Sequence, residues 1–168
     1  LVFSEMCHGC GGCTLICPTK AIKEQNRRIG VIEQSVVDNI RLITGRLDVG
    51  VALAPPLIRA LKNNLPADTN IILDAPPGTS CPVIAAIKGA DIVLLVTEPT
   101  PFGLHDLMLA VEMVRELKLP FGVIVNRVGS GDNRVQDFCR KESISILMEI
   151  PDDRRIAESY SRGILMVD

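Results

Sequence analysis

Four thiols and one carboxylate are the groups in this chain best suited to chemistry. Cys7, Cys10, Cys13 and Cys17 lie within CHGCGGCTLICP, residues 7 to 18, in the run C-x2-C-x2-C-x3-C-P. That run is the spacing of thiolates that ligate a 4Fe-4S cluster. Its short intervals let three thiolates grip one face of a cubane, while Gly9, Gly11 and Gly12 allow backbone N–H groups to approach the sulfides. Thiolates select soft iron-sulfur or zinc centres over hard cations. Zinc is the alternative reading, but zinc sites pair two well-separated C-x2-C units, and no second pair lies downstream. His8, between two of the ligands, reads as a solvent-side or backbone-bonded residue. Cys81 and Cys139 are isolated and read as small hydrophobes. Where two clusters share ligands, the fourth cysteine of each run serves the other cluster. The cluster of Cys7, Cys10 and Cys13 then needs one further ligand, expected upstream of Leu1.

The carboxylate is Asp74, in NIILDAPPGTSCP, residues 70 to 82. Ile71, Ile72 and Leu73 are apolar without alternation, the pattern of a strand buried on both faces of a parallel sheet. Asp74 then falls at the carboxyl end of that strand, where open α/β sheets place ligands. A carboxylate there is suited to holding Mg²⁺ through water, and the following loop to turning N–H groups toward a phosphate. Pro76 and Pro77 stiffen the loop up to Gly78, which is free to adopt conformations other residues avoid. An ordinary βα turn capped by Thr79 or Ser80 is the plainer alternative.

The elements that must position these groups follow from periodicity. Strands are predicted at 70–74, 91–97, 121–125 and 145–150, alternating with helices at 81–88, 104–118, 132–141 and 153–161. PPLIRALKNN, from Pro55, reads as a preceding helix with its proline pair in the first turn. A βα succession with short connections implies a parallel sheet with right-handed crossovers. Asn126 and Arg127 follow one strand, and Pro151, Asp152 and Asp153 follow the next. Each set by itself suits a cap or turn; with Asp74 they outline one crevice, and an Asn carboxamide offers paired donor and acceptor groups to a purine edge. Before Pro55, the segment TKAIKE reads as a short helical turn, Arg28 to Gln34 as extended, and residues 46 to 54 as a further short strand. The expected division is residues 1–54 as the second half of a small ferredoxin-like α+β portion and 55–168 as the larger nucleotide-binding α/β portion.

Composition agrees with this class. Of 168 residues 47% are hydrophobic but only 3% aromatic, with no Trp, so the core is built from Val, Ile, Leu and Ala, as suits parallel sheets. The net charge is −2 with both signs mixed along the chain, which gives no nucleic-acid footprint. No apolar run is long enough to span a bilayer, no signal peptide is evident, and the cysteines have cluster rather than disulfide spacing. The expected compartment is the reducing cytoplasm.

The string ILDAPPGTSCPVIAAIKGADIVLLVTEPTPFGLHDL, the CHGCGGC run, IGVIE and the ending IPDDRRIAESYSRGI together resemble the MinD/Mrp-type ATPases that carry an inserted ferredoxin domain. The resemblance covers essentially the whole chain. It implies a P-loop NTPase-like α/β fold of MinD/ParA type, mostly parallel with helices on both faces. It also implies a 4Fe-4S cluster on Cys7, Cys10, Cys13 and Cys17, and ATP or ADP with Mg²⁺. Asp74 becomes the Walker B or switch carboxylate near Mg²⁺ and the attacking water. Gly78, with Thr79 in the same loop, offers an N–H toward the γ-phosphate. Asn126 binds the adenine edge, Arg127 lies beside the base, and Pro151 and Asp152 close over it. A homodimer and a redox or apo-protein partner are further implications. The departure is that no G-x4-G-K-[ST] occurs in these residues, so the Lys and Ser/Thr that neutralise phosphate charge and hold Mg²⁺ are not among them. The chain alone is accordingly not expected to hydrolyse ATP.

A different class of function is a ferredoxin-type electron carrier whose α/β part is only a scaffold. Membrane-bound positioning proteins of the MinD kind end in a basic amphipathic helix, unlike SRGILMVD here. The cysteine spacing makes a direct prediction for anaerobically prepared protein in which both cysteine runs are present. Cys17→Ser and Cys7→Ser are expected to perturb different clusters, giving distinguishable EPR signals. Loss of the same signal in both variants, with the other spared, would show that ligation is not crossed.

Overall fold

The computed structural model describes residue 7 and residues 9–166. It divides into two compact units, residues 1–76 and 77–168.

In the first unit a short helix, α1 (Gly12–Ile16), is followed by the antiparallel pair β1 (Gly30–Val37) and β2 (Ile40–Leu47) and by α2 (Ala54–Lys62). The strands pair in register from Gly30↔Leu47 to Val37↔Ile40. Asp38, with Asn39 in the two-residue turn, has φ +51°, a conformation that Asp and Asn tolerate better than most residues. Arg46 bonds Glu33 across the strands at 2.7 Å, and Arg28 forks onto Asp48 at 3.0 and 3.1 Å at the open end. The amphipathic α2 packs on the hairpin and buries Leu57.

Three expectations are corrected here. The helical turn lies at Gly12–Ile16, among the cysteines, and TKAIKE is irregular. The strand expected at 46–54 is instead Ile40–Leu47, because the turn at Asp38–Asn39 sets its start. Residues 70–74 form no strand: Ile72 is 97% exposed and the segment is irregular. An apolar run becomes a parallel strand only when neighbours accept its backbone hydrogen bonds, and no strand among the described residues pairs with this one.

The second unit follows the predicted alternation. It runs α3 (Cys81–Ile87), β3 (Val93–Thr97), α4 (Pro101–Glu116), β4 (Phe121–Val128), α5 (Arg134–Lys141), β5 (Ile146–Pro151) and α6 (Arg154–Ser161). The strands form a parallel sheet in the order β3-β4-β5. Thr100 starts α4 as its N-cap, its hydroxyl accepting from Gly103 N at 3.0 Å, with Pro101 in the first turn. One face of the sheet is covered: Val123 and Val125 of β4 pack with Leu107 and Val111 of α4 and with Val135 and Cys139 of α5. The intervals Leu107, Val111, Val114 keep one side of α4 inward. On the opposite face Leu94 and Val96 are exposed. Cys139 is buried, as expected of a small hydrophobe, whereas Cys81 is exposed.

Val123 is completely buried at the centre of this layer. Val123→Ala is therefore expected to destabilise the protein by about 2 kcal/mol through lost transfer energy and the cavity left behind. Urea unfolding with an unchanged slope and a lower midpoint would register that loss.

Candidate functional site

The thiol run belongs to the first unit. Cys7, Cys10 and Cys13 are exposed and Cys17 is half-buried. Gly11 caps α1 in the left-handed conformation, φ +75°, which a side-chain-bearing residue adopts only with strain. The turn it makes allows Leu15 N to reach Gly11 O at 3.1 Å and places Cys13 one residue into the helix. The Cys17 sulfur lies 3.6 Å from the Thr19 hydroxyl. That contact, with backbone N–H groups of residues 19, 21 and 22, lowers its thiol from 9.0 to about 7. Backbone N–H groups directed at this sulfur are the environment a cluster thiolate needs. Among the described residues no three Cys, His, Asp or Glu side chains are gathered as a metal-holding group. The donor set nonetheless fits the cluster: four soft ligands at the required spacing, three of them exposed. His8 lies outside the described residues.

Asp74 is exposed in the irregular segment of the first unit. Gly78 and Thr79 belong to the second unit, where Gly78 has φ +90° and Thr79 is exposed. The loop feeds α3 through Ser80, whose carbonyl accepts from Ile84 N at 3.2 Å.

The carboxyl ends of β4 and β5 bring the remaining candidates together. Val125 pairs with Glu149 and Val128 with Pro151, so Asn126 and Arg127 together stand opposite Ile150 alone. This is a β-bulge, which bends the strand and re-aims side chains. Arg127 sits at φ +57°, and its N–H is taken up by the Asn126 Oδ1 at 3.0 Å. Its Nε donates to Asp152 Oδ1 at 3.3 Å, and Nη1 lies 3.6 Å from Glu98 Oε2, just past β3. Asp152, and after it Glu98, raise the Arg127 guanidinium further above its ordinary value. Ser130 Oγ donates to Arg127 O at 2.7 Å. Asp152 N donates to Val128 O at 2.9 Å, which fixes the Pro151–Asp152 segment. Asp153 then caps α6, accepting from Arg155 N at 2.8 Å.

Glu98 and Gly131 also bear on this edge, and sequence reasoning did not single them out. Glu98 directly follows β3, so the strand-end rule applied there finds it; Asn126 and Arg127, expected after a strand ending at residue 125, lie instead within β4, which the bulge extends to Val128. A Cβ on Gly131 would collide with the Pro99 carbonyl oxygen; the β4–α5 loop thus rests directly on the backbone after β3, and nothing in the local sequence signals it.

A cysteine run at cluster spacing in one unit and a parallel α/β sheet with polar strand ends in the other are the parts expected of an iron-sulfur protein built on a P-loop ATPase type of sheet. Residues 1–23 match the 4Fe-4S binding domain family. An uncharacterised protein of Methanocaldococcus jannaschii is 34% identical over 166 residues, 97% of this chain and 57% of the relative. The iron-sulfur cluster carrier protein of Aquifex aeolicus is 30% identical over 108 residues, 55% of this chain and 30% of that protein. The crystal structure of the Pyrococcus furiosus cell division ATPase MinD superposes with a TM-score of 0.62 at 25% identity, covering 79% of this chain and 59% of that one. The chain is a MinD/Mrp-type P-loop ATPase relative with a 4Fe-4S domain at its N-terminal end. It spans 57% and 49% of the lengths of two Methanocaldococcus jannaschii relatives. Among the described residues no helix is long and apolar enough to cross a membrane.

The cap on α6 carries a pH prediction. Hydrogen bonds from the Arg155 guanidinium and backbone lower Asp153 from 3.8 to about 2. A depressed carboxylate contributes stability above its unfolded value, and that contribution is lost as pH falls through the folded value. Asp153→Asn keeps a capping oxygen but removes the charge. The wild-type advantage in melting temperature over this variant is therefore expected to be constant above pH ~5, to shrink as pH falls from there, and to be lost only below pH ~2. Parallel thermal melts across that range decide the matter; an advantage that persists undiminished at the acid end refutes the assignment.

Proposed function

We propose that the chain is the cluster-binding and base-binding portion of an iron-sulfur ATPase, in which nucleotide state biases a ferredoxin-like module that carries a cluster or transfers electrons. The observation that carries this reading is the bulge at Asn126–Arg127, which sets a half-buried carboxamide at the carboxyl edge of the parallel sheet, where such sheets bind ligands. The relative named as an iron-sulfur cluster carrier and the 4Fe-4S match support joining that edge to a cluster.

In this reading Cys7, Cys10, Cys13 and Cys17 are cluster ligands. The cluster supplies reversible one-electron chemistry or is itself the cargo. Asn126 reads the adenine edge and Pro151–Asp152 borders it. Gly78 N–H meets the γ-phosphate, with Thr79 beside it, and Asp74 acts on Mg²⁺ and the attacking water. Phosphate charge is met chiefly by a Lys-bearing loop supplied by residues outside these 168, so the chain by itself binds MgATP weakly. The working protein is a cytoplasmic homodimer that meets a redox or apo-protein partner.

Two substitutions separate the roles in a longer chain that includes a phosphate-binding loop. Asp74→Asn is expected to lower turnover by at least about a hundredfold with little change in Kd, because its carboxylate acts on the attacking water. Asn126→Ala is expected to raise the Kd for MgATP by about tenfold at nearly constant turnover, since an edge contact is made equally in ground and transition states. Calorimetry with single-turnover hydrolysis measures both. An Asp74→Asn protein with full turnover removes this carboxylate from the mechanism.

A further inference from the structure

We infer that Arg127 is a positioning residue: it ties together the ends of β3, β4 and β5 so that the Asn126 carboxamide is held ready for a purine base, and it acts through Asn126 rather than on the base. The inference rests on the proposed base site and adds the device that orders it.

Linked features of backbone and side chain converge on this residue. Its backbone is left-handed, φ +57°, a conformation that costs a residue with a Cβ and persists only where the surroundings impose it. The bulge that creates this conformation removes the Arg127 N–H from the strand ladder, and the Asn126 Oδ1 takes it up at 3.0 Å. That bond takes one lone pair of the carboxamide oxygen and fixes its plane; the other lone pair and the Nδ2 hydrogens are left to meet the acceptor-and-donor edge of adenine together.

The guanidinium then spans two carboxylates, Asp152 at 3.3 Å and Glu98 at 3.6 Å. Glu98 and Asp152 follow different strands, so the pairing bridges β3 and β5 across the bulge on β4. A planar guanidinium directs donors to two partners at once, which the compact ammonium of lysine does less well. The carbonyl of Arg127 is also held, by Ser130 Oγ at 2.7 Å and Ser130 N at 3.2 Å. Beyond Ser130, Gly131 lies against the Pro99 carbonyl so closely that a Cβ has no room. Loop, strand end and side chain thus restrain one another around Asn126.

Each ion pair is exposed, and exposed pairs contribute little to global stability. Their effect is expected in the orientation of Asn126, and so in base discrimination, more than in the melting temperature.

The test uses anaerobically purified full-length protein, with Kd measured for MgATP and MgGTP on wild type, Arg127→Gly, Arg127→Lys, Glu98→Gln and the Arg127→Gly/Glu98→Gln pair. Arg127→Gly suits the left-handed backbone and deletes only the clasp. It is expected to weaken MgATP about fivefold and to reduce the ATP-to-GTP preference by a similar factor, the scale of losing a small charge network. Glu98→Gln is expected to cost about twofold, Arg127→Lys to fall between wild type and Arg127→Gly, and the double variant to resemble Arg127→Gly alone, because both remove the same network. Thermal melts accompany each measurement. An Arg127→Gly protein that melts lower but keeps the wild-type ATP-to-GTP preference overturns the positioning role. Wild type that binds neither nucleotide overturns instead the base-site reading on which the inference stands.

Discussion

The parallel pairing of β3, β4 and β5, clamped by the valine layer beneath α4 and α5, is the constraint from which the second unit takes its form. Val123 and Val125 are fully buried, and their burial fixes which face of β4 points inward. Alternation then dictates the direction of every later side chain on that strand. Left regular, β4 would send Asn126 and Arg127 to opposite faces. The bulge interrupts that alternation at the carboxyl edge, where the packed layer ends. The valines thus supply the rigidity and the bulge supplies the exception.

Electrostatics at this edge are local and solvent-facing. Arg127, Glu98 and Asp152 are each close to half exposed, so water screens their attraction and the cluster adds little to folding stability. Such an arrangement is suited to order a surface without making it immovable. The first unit uses a related economy: its hairpin is closed by Arg28–Asp48 and Arg46–Glu33 pairs at the surface, while α2 gives it an apolar backing through Leu57. Of the four clustered thiols, those of Cys7, Cys10 and Cys13 are exposed and that of Cys17 is half-buried.

Much of this was legible beforehand. The cysteine spacing needs no tertiary information, because ligands three or four residues apart are brought near one another by a single turn. The longest helix of the second unit, α4, was legible because it has an apolar stripe through Leu107, Val111 and Val114 and a start signal in Thr100 and Pro101. The hairpin was only partly visible. Its strands carry apolar residues on both faces near the turn, including Val36, Val37 and Ile40, all exposed, which blurs the period that would have marked them. The apolar run Ile71–Leu73 misled for the opposite reason: composition describes what a strand would bury, but pairing requires a neighbour.

By itself, the sequence determined the cysteine spacing and the parallel α/β order of the second unit, since these depend on spacing and on periodicities of two or 3.6 residues along one chain. Tertiary structure alone decided the rest. That Arg127 would turn left-handed, that its guanidinium would meet Glu98 across 29 residues and Asp152 across 25, and that Gly131 would lie on the Pro99 carbonyl follow from strand register. Register is set by the summed packing of both faces and both neighbours, a property no local stretch of residues contains.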